Sequence, residues 1–230
     1  MAQRVGFIGL GNIGQHLAAS VVRAGFEVVV HDLDRGRASD LMERGAGWAD
    51  SPREVAEAAQ TVVTCLPSPH AVRAVMTGEH GVVTGMSQGS TWIEMSTNDR
   101  EEVHALAELV GRQGGMCLEA PVTGGVHKAA KGEMTVLVGG PHEAYLEHLD
   151  LFKAVGNKVI YVGGLGDATV MKVITNMLAF IHLVSAGEAL MLAKRGGIDL
   201  GTAFEVIQAS SGNSFVHETE SQVILNGSTT

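Results

Sequence analysis

Cysteine is scarce in this sequence, and so are the spacings that hold metal ions. The two cysteines, Cys65 and Cys117, lie at the end and in the middle of apolar runs, as buried strand residues do. We therefore expect two free thiols in a reducing compartment, the cytoplasm, and neither a disulfide nor a metal pair. None of the ten histidines stands in an H-E-x-x-H or similar ligand spacing, so we expect no metal site.

Positive charge is also scarce. The 16 Lys and Arg are outnumbered by 25 Asp and Glu, which gives a net charge of −9. Because nucleic acid binds to basic surfaces, this balance argues against a nucleic-acid partner. Polar and charged residues interrupt the longest apolar stretch, Val173 to Ala193. That stretch predicts a helix buried between protein surfaces and not a membrane span, and with a first strand beginning at Arg4 we expect no signal peptide.

What the sequence does contain is a glycine-rich turn between its first apolar run and a helical segment. The run Arg4–Ile8 leads into the spacing G-x-G-x-x-G, and a second apolar run ends on Asp32. This order is typical of the strand–turn–helix–strand unit that holds a dinucleotide pyrophosphate. The glycines permit the tight turn, the approach of the phosphates and the packing of the helix. The residues predicted to bind the cofactor at this turn are Gly9, Gly11, Asn12, Ile13 and Gly14.

Asp32 bears on which dinucleotide is bound. It lies 18 residues beyond Gly14 (32 − 14), about where an acid meets the adenosine ribose. Its carboxylate can accept hydrogen bonds from both ribose hydroxyls and would repel a 2′-phosphate, so NAD is the predicted cofactor. Arg35 and Arg37 follow closely and leave NADP open, although solvated charges at a helix start are the simpler interpretation.

Short β-branched runs alternate with helical patterns up to about residue 163. This alternation predicts an α/β fold with a doubly wound, parallel Rossmann-type sheet. Helical periodicity then takes over, first in a long helix from Asp167 to about Arg195. We predict an NAD-binding domain over residues 1–163 and an all-α domain over 164–230 that looks incomplete. The predicted strands are Arg4–Ile8, Glu27–His31, Thr61–Cys65, Thr91–Glu94, Met116–Glu119, Thr135–Val138 and Lys158–Tyr161.

Four further segments lie where open α/β sheets bind ligands, beyond the carboxyl ends of the strands. Each also has a simpler interpretation, as a strand end, a helix cap, an ordinary loop or a lysine that reaches solvent from a helix edge. The segments are Cys65-Leu66-Pro67-Ser68-Pro69, Glu94-Met95-Ser96-Thr97-Asn98, Glu119-Ala120-Pro121-Val122-Thr123-Gly124-Gly125, and a helix on which Lys172 and Asn176 share one face.

Taken together, these blocks closely resemble the 3-hydroxyisobutyrate dehydrogenase family of β-hydroxyacid dehydrogenases, a group related to 6-phosphogluconate dehydrogenase. The resemblance covers essentially the whole chain. It implies that the glycine turn binds the pyrophosphate and Asp32 the ribose, and that Leu66 and Pro67 line the cofactor cleft with Thr97 near the nicotinamide. The matching blocks are Gly6 to Gly14, Leu66-Pro67, Ser96-Thr97, Ala120 to Gly125, and Lys172 followed by Asn176.

The resemblance also implies the chemistry. Thr123, Gly124 and Gly125 would bind the substrate carboxylate, Asn176 would help to hold the substrate, and Lys172 would be the catalytic acid/base. A free lysine titrates near about 10.4 and is a poor base at neutral pH. Burial against apolar helix residues and a cationic nicotinamide would lower its pKa toward a useful range.

The chain departs from the family pattern in three places. Family members usually have glycine where Ala168 stands and serine where Thr123 stands. They also run some tens of residues further, through helices with a Lys-Asp-Leu segment, and nothing after Leu225 matches it. We therefore expect a C-terminally truncated member whose apolar helical face is covered by a partner chain or by further sequence.

The leading hypothesis is an NAD-dependent dehydrogenase that converts a small 3-hydroxy acid reversibly to its semialdehyde, as a dimer or higher homo-oligomer. Candidate substrates are 3-hydroxyisobutyrate, 2-hydroxymethyl diacids and glycerate. One alternative is an NADP-dependent reductase of glyoxylate, succinic or tartronate semialdehyde. Another is a catalytically silent dinucleotide-binding module.

Overall fold

The computed structural model describes residues 4–227. The chain divides into two compact units, with the boundary between Lys172 and Val173. The first unit is built on a sheet of nine strands. Numbered along the chain, the strands are β1 (Arg4–Ile8), β2 (Glu27–His31), β3 (Gly47–Trp48), β4 (Thr61–Thr64), β5 (Thr91–Glu94), β6 (Met116–Glu119), β7 (Val122–Thr123), β8 (Met134–Gly139) and β9 (Gly156–Gly163).

The strand order confirms the predicted fold class and corrects one feature of it. The order is β3-β2-β1-β4-β5-β6-β8-β7, with β9 paired to β8. The strands from β3 to β6 are parallel, as expected, but β8 runs antiparallel to β6 and β7. Only residues 124–133 connect β7 to β8, which is shorter than the dozen or so residues that a parallel crossover requires. The sheet is therefore mixed.

Helices cover the sheet, and several of them begin at a side-chain cap. Ser51 accepts a hydrogen bond from the Glu54 amide at 3.2 Å, and Asp99 accepts from the amides of Glu101 and Glu102, as their positions predict. The helices are α1 (Gly14–Arg23), α2 (Ser39–Glu43), α3 (Pro52–Ala58), α4 (Pro69–Thr77), α5 (Val82–Gly85), α6 (Arg100–Arg112), α7 (Val126–Lys131), α8 (His142–Glu147), α9 (Leu149–Val155), α10 (Asp167–Arg195), α11 (Leu200–Gln208) and α12 (Gln222–Leu225).

The core of the first unit lies on both faces of this sheet. One apolar cluster gathers side chains of β1 and β2 with α1 and α9, and includes Phe7, Leu17 and Phe152. A second cluster on the other face includes Ile8, Met76 and Trp92. Both are fully buried, as a doubly wound sheet with helices on each face requires. Cys65 and Cys117 are free thiols in this unit.

The second unit is helical and has a small core of its own. Leu190, Ala203 and Phe204 form its buried cluster, and the ring of His217 stacks on Phe204 with centroids 4.5 Å apart. Helix α10 leaves many apolar side chains exposed in the single chain, including Phe180 (66 %) and Leu192 (72 %). By length and composition α10 is the one helix among residues 4–227 that is long and apolar enough to cross a membrane.

Candidate active site

The carboxyl ends of the central strands lie side by side, and the strand register aligns their last residues. Ile8 pairs with His31 on one side and with Thr64 on the other, and Thr64 pairs with Glu94. Glu94 in turn pairs with Glu119. We call these five residues the strand-end row. The predicted site segments at Gly9, Asp32, Leu66 and Thr97 leave this row at successive strands, so the fold brings their starting points to one edge of the sheet.

Two glycines of the turn, Gly9 and Gly14, are required by its backbone. Gly9 has φ +97°, and a Cβ there would contact the carbonyl oxygen of Cys65 and lie 2.8 Å from Leu66 Cδ2. A Cβ on Gly14 would collide with the carbonyl oxygen of Gly9. Gly9 and Gly14 therefore serve the turn itself.

Gly11 is different, because a Cβ there would stand in open space. The nearest atom would be Nη1 of Arg37, at 3.8 Å. The fold of the turn therefore does not require glycine at this position, whereas a closely bound pyrophosphate would. Asn12 is exposed in the turn. Ile13 directly precedes α1, and no side-chain cap donates to or accepts from the first turn of that helix among the described residues. The turn thus fits a dinucleotide phosphate at a helix N-terminus.

Asp32 ties the end of β2 to the glycine turn. Its Oδ2 accepts a hydrogen bond from the Leu10 amide at 2.7 Å, and its Oδ1 accepts from the Asp34 amide at 3.0 Å. The residue is half-buried, and each carboxylate oxygen can accept a second hydrogen bond, as ribose hydroxyls would supply. The role of Asp32 in holding the turn is one that the sequence did not reveal.

The two arginines near Asp32 have separate surroundings. The guanidinium of Arg35 lies over the ring of Trp48 in β3, 5.4 Å from its centroid. Arg37 lies nearer the glycine turn and 3.8 Å from a carboxylate oxygen of Asp34. Of the two, Arg37 is therefore the one placed close to the predicted phosphate site.

The segments after β4 and β5 are joined by a buried chain of hydrogen bonds. Trp92 Nε1 donates to Thr64 Oγ1 at 2.8 Å, and the Thr64 hydroxyl donates to Glu94 Oε2 at 2.7 Å. The Ser96 amide donates to Glu94 Oε1 at 2.6 Å, and Ser96 Oγ accepts from the Leu66 amide at 2.8 Å. This chain fixes Leu66 beside the loop that carries Thr97. Pro67 and Thr97 themselves are exposed.

Glu94 begins one of the four predicted segments, but the sequence assigned no role to it. It is 1 % exposed, and burial raises the pKa of its carboxyl to about 7, with the neighbouring Glu119 adding to the rise. An acidic residue at the end of a predicted strand, directly after Trp92 and Ile93, is the signal by which the sequence could have revealed its role. The same signal is present at Glu119, which accepts hydrogen bonds from the start of α10.

The Thr123-Gly124-Gly125 segment turns from β7 into α7. Thr123 is half-buried and pairs with Thr135 on β8. Gly124 and Gly125 have φ values of +141° and +80°, and a Cβ on Gly124 would lie 3.0 Å from Lys128 Cδ. Both glycines are therefore required by the backbone, in addition to any role toward a substrate.

Lys172 lies in the second turn of α10 and is 9 % exposed. Burial lowers the pKa of its ammonium group below the ordinary value. Asn176 follows one turn later on the same helix and is half-buried. The burial of Lys172 is notable because side chains around it on the same helix, such as Met171 and Val173, are exposed.

Two family models together match nearly all of the chain. Residues 4–163 match the NAD-binding domain of 6-phosphogluconate dehydrogenase. Residues 166–230 match the NAD-binding domain of NADP-dependent 3-hydroxyisobutyrate dehydrogenase. The fold and the strand-end row are thus those of a dinucleotide-binding protein of the hydroxyacid dehydrogenase type.

Individual relatives agree with these matches. The mitochondrial 3-hydroxyisobutyrate dehydrogenase of Mus musculus is 33 % identical over 219 residues, which are 95 % of this chain and 65 % of that protein. An L-threonate dehydrogenase of Cupriavidus necator is 35 % identical over 99 % of this chain and 77 % of its own length. The solved structure of Psf3 in complex with NADP+ and 2-OPP has a TM-score of 0.91 at 29 % identity, over 98 % of this chain and 80 % of its own.

The chain belongs to the 3-hydroxyisobutyrate dehydrogenase family of β-hydroxyacid dehydrogenases. It spans about 65 % of the length of the mouse relative.

Proposed function

We propose that this protein is an NAD-dependent oxidoreductase that interconverts a small 3-hydroxy acid and its semialdehyde. The proposal rests on the strand-end row, because the predicted cofactor-binding segments all start from it at the carboxyl ends of the strands. It rests also on the buried Lys172 of α10, the helix that follows β9. Family membership supports a dehydrogenase of hydroxy acids.

The cofactor would be held by residues that the glycine turn and the row position. Gly11 leaves room for the pyrophosphate beside the first amides of α1, and Asp32 has acceptor capacity for the ribose. Leu66 and Pro67 would line the cofactor cleft, and Thr97 would lie near the nicotinamide. When bound, the nicotinamide would accept a hydride in its oxidised form and donate one in its reduced form. The remaining turn residues assigned to phosphate binding are Gly9, Asn12, Ile13 and Gly14.

Lys172 would move the proton. Oxidation of the alcohol removes one hydride from carbon and one proton from oxygen. Because burial lowers the pKa of Lys172, a larger fraction of its amine is uncharged near neutral pH and able to take that proton at Nζ. In the reverse direction the ammonium returns the proton to the carbonyl oxygen. Thr123, Gly124 and Gly125 would bind the substrate carboxylate, and Asn176 would help to orient the substrate.

The test is NADH formation by this chain with a panel of short hydroxy acids. The panel contains 3-hydroxyisobutyrate, a 2-hydroxymethyl diacid and glycerate, and it adds L-threonate because of the name of the Cupriavidus relative. Turnover with NAD and at least one 3-hydroxy acid supports the proposal. Tight NADH binding without turnover on the whole panel would contradict it and favour a silent dinucleotide-binding module.

A second candidate is an NADP-dependent semialdehyde reductase. The specific observation in its favour is the position of Arg37 near Gly11, where a guanidinium could meet a phosphate. The description of the second matching family model as NADP-dependent points the same way. The dissociation constants of NADH and NADPH, measured by fluorescence titration, decide between the two, since the Asp32 carboxylate should disfavour the 2′-phosphate.

We further propose that the partner is a second copy of this chain, in the cytoplasm. The free thiols of Cys65 and Cys117 support a reducing compartment. The exposed apolar side chains of α10 support association, since a row of this kind on one helix is costly to leave in water. Sedimentation should show a dimer or larger species that Phe180→Lys weakens and that Lys153→Ala, at an exposed position of α9, does not. A monomer at all concentrations would contradict this part.

A further inference from the structure

Glu119 is an acidic residue in a fully buried position. It ends β6, it is 0 % exposed, and it stands beside Glu94 in the strand-end row. Burial of a carboxylate is costly unless donors surround it. The groups that donate hydrogen bonds to Glu119 should therefore explain why it is buried.

The donors to Glu119 come from the first turn of α10. The Ala168 amide donates to Oε1 at 2.8 Å and the Thr169 amide donates to Oε2 at 3.1 Å. The Thr169 hydroxyl donates to Oε2 as well. The first amides of a helix have no partner within it, and negative charge is favourable at that end. Glu119 therefore caps α10 from a strand 49 residues earlier in the sequence.

The strand next to Glu119 is closely packed against its carboxyl group. A Cβ on Gly139 of the neighbouring β8 would contact Glu119 Oε1 and lie 2.7 Å from the carbonyl oxygen of Gly164. Ala168 and Thr169 are themselves buried, at 0 % and 3 %. The start of α10 is thus seated on the sheet edge through Glu119, with the adjacent strand cleared of side chain at that point.

The same turn of helix leads directly to Lys172. Lys172 follows Ala168 by four residues and Thr169 by three, so all three lie on neighbouring positions of one helix face. A shift or rotation of the first turn would therefore move the lysine with it. We propose that Glu119 is a positioning residue, which anchors the start of α10 and thereby fixes Lys172 beside the strand-end row.

Glu94 offers a matched comparison within the same row. Its carboxylate accepts from Thr64 and Ser96, which belong to β4 and to the loop after β5. The two glutamates are adjacent, buried and alike in chemistry, but their hydrogen bonds organise different segments. Replacing either one by glutamine keeps nearly the same volume and puts an amide NH2 group in place of one carboxyl oxygen.

The proposal rests on the proposed role of Lys172, so its test needs readouts that do not depend on turnover. Hydrogen exchange of the peptide with the first turn of α10 reports the anchor. Acetylation of Lys172 by acetic anhydride, read by peptide mass spectrometry, reports its accessibility, with the exposed Lys194 of the same helix as internal reference. NADH binding and steady-state turnover complete the set.

In Glu119→Gln we expect faster exchange at residues 168–172 and faster acetylation of Lys172 relative to Lys194. We expect kcat to fall by about 10²-fold, as misplacement of a catalytic group by an ångström does, while the dissociation constant of NADH stays within about twofold. Thr169→Val, which removes one of the three donors, should give the same pattern more weakly. Glu94→Gln should leave the exchange and the acetylation at wild-type values.

Several outcomes would overturn the anchor. One is unchanged exchange and acetylation in Glu119→Gln, whatever happens to turnover. Another is an equal change in both glutamine variants, which would indicate general loosening of the sheet edge. A wild-type chain without turnover on any substrate would contradict the proposed function alone, because exchange and acetylation would still decide whether Glu119 holds Lys172.

Discussion

The two ends of the strand-end row are built in different ways. At the β1–β2 end, the site is made of backbone: a glycine turn, the amides of a helix start and one carboxylate that accepts from the Leu10 amide. At the β5–β6 end, it is made of buried side chains, Glu94 and Glu119, whose hydrogen bonds hold loops and a helix in place. A diphosphate needs close approach of the backbone, whereas a lysine needs an oriented support. The comparison predicts that binding and chemistry can be damaged separately.

The largest effect should come from Lys172. We expect Lys172→Met to reduce turnover by about 10²–10⁴-fold, the usual contribution of a general acid or base. The dissociation constant of NADH should change by less than about threefold, because Lys172 is not among the residues proposed to hold the cofactor. Stopped-flow turnover and NADH fluorescence measure the two quantities. Lys194→Met, at an exposed position of the same helix, is the control and should retain activity. Equal losses of NADH binding and turnover in Lys172→Met would contradict the separation of binding from chemistry.

Within the glycine turn, substitutions should distinguish the glycines that the fold requires from the glycine that the ligand requires. Gly14→Ala places a Cβ against the Gly9 carbonyl oxygen, so it should lower the free energy of unfolding by about 1–3 kcal/mol, as overpacking does. Gly11→Ala meets open space. It should leave unfolding within about 0.5 kcal/mol, the range of harmless substitutions, and still weaken NADH binding at least tenfold.

Urea unfolding and NADH titration of both glycine variants check this division. Gly111→Ala in α6, where a Cβ meets nothing within 4 Å, is the matched control. It should raise the free energy of unfolding by about 0.5–1 kcal/mol without affecting NADH. Unchanged NADH binding in Gly11→Ala would show that the pyrophosphate does not bind at this turn.

Glu94 should make stability depend on pH. Burial raises its pKa to about 7 from an ordinary 4.5, so between these values the folded chain retains a proton that the unfolded chain has lost. The free energy of unfolding should therefore fall as pH rises from about 4.5 to 7 and level off above that. The difference corresponds to about 3 kcal/mol, at about 1.36 kcal/mol per pH unit.

Urea unfolding at pH 5 and pH 8 tests this with Glu94→Gln beside the wild-type chain. The variant should lose most of the decline, while the contributions of other titrating groups cancel in the comparison. A decline of the same size in both proteins would show that Glu94 is ionised in the folded state at both pH values.

The smallest effect should come from Asp32. Removal of its charge in Asp32→Asn should narrow the preference for NADH over NADPH by about tenfold, roughly the value of one charge contact near the surface. Asp40→Asn is the control, since Asp40 is exposed and pairs with Arg44 at 3.0 Å. Paired titrations with the two cofactors measure the ratio. A wild-type preference for NADPH would favour the second candidate function.

The same contrast explains what the sequence could predict. All seven expected strands are present, because apolar periodicity acts over a few residues. The two-residue strands β3 and β7 are too short to leave a pattern. The antiparallel course of β8 depends on the length of a connection rather than on the composition of the strand.

The site follows the same division. The glycine turn could be predicted because its geometry is specified by consecutive residues. The part played by Glu119 could not, since its donors at Ala168 and Thr169 lie 49 and 50 residues away. Asp32 was expected to meet a ribose, but its bond to the Leu10 amide became visible only in three dimensions.

A crystal structure of the chain with NADH bound tests the division of the strand-end row most directly. We expect the pyrophosphate at the amides of α1 beside Gly11, the adenosine ribose at Asp32, and the nicotinamide at the ends of β5 and β6, within reach of Lys172. A nucleotide bound away from the glycine turn would contradict the central claim. So would a nicotinamide directed away from Lys172.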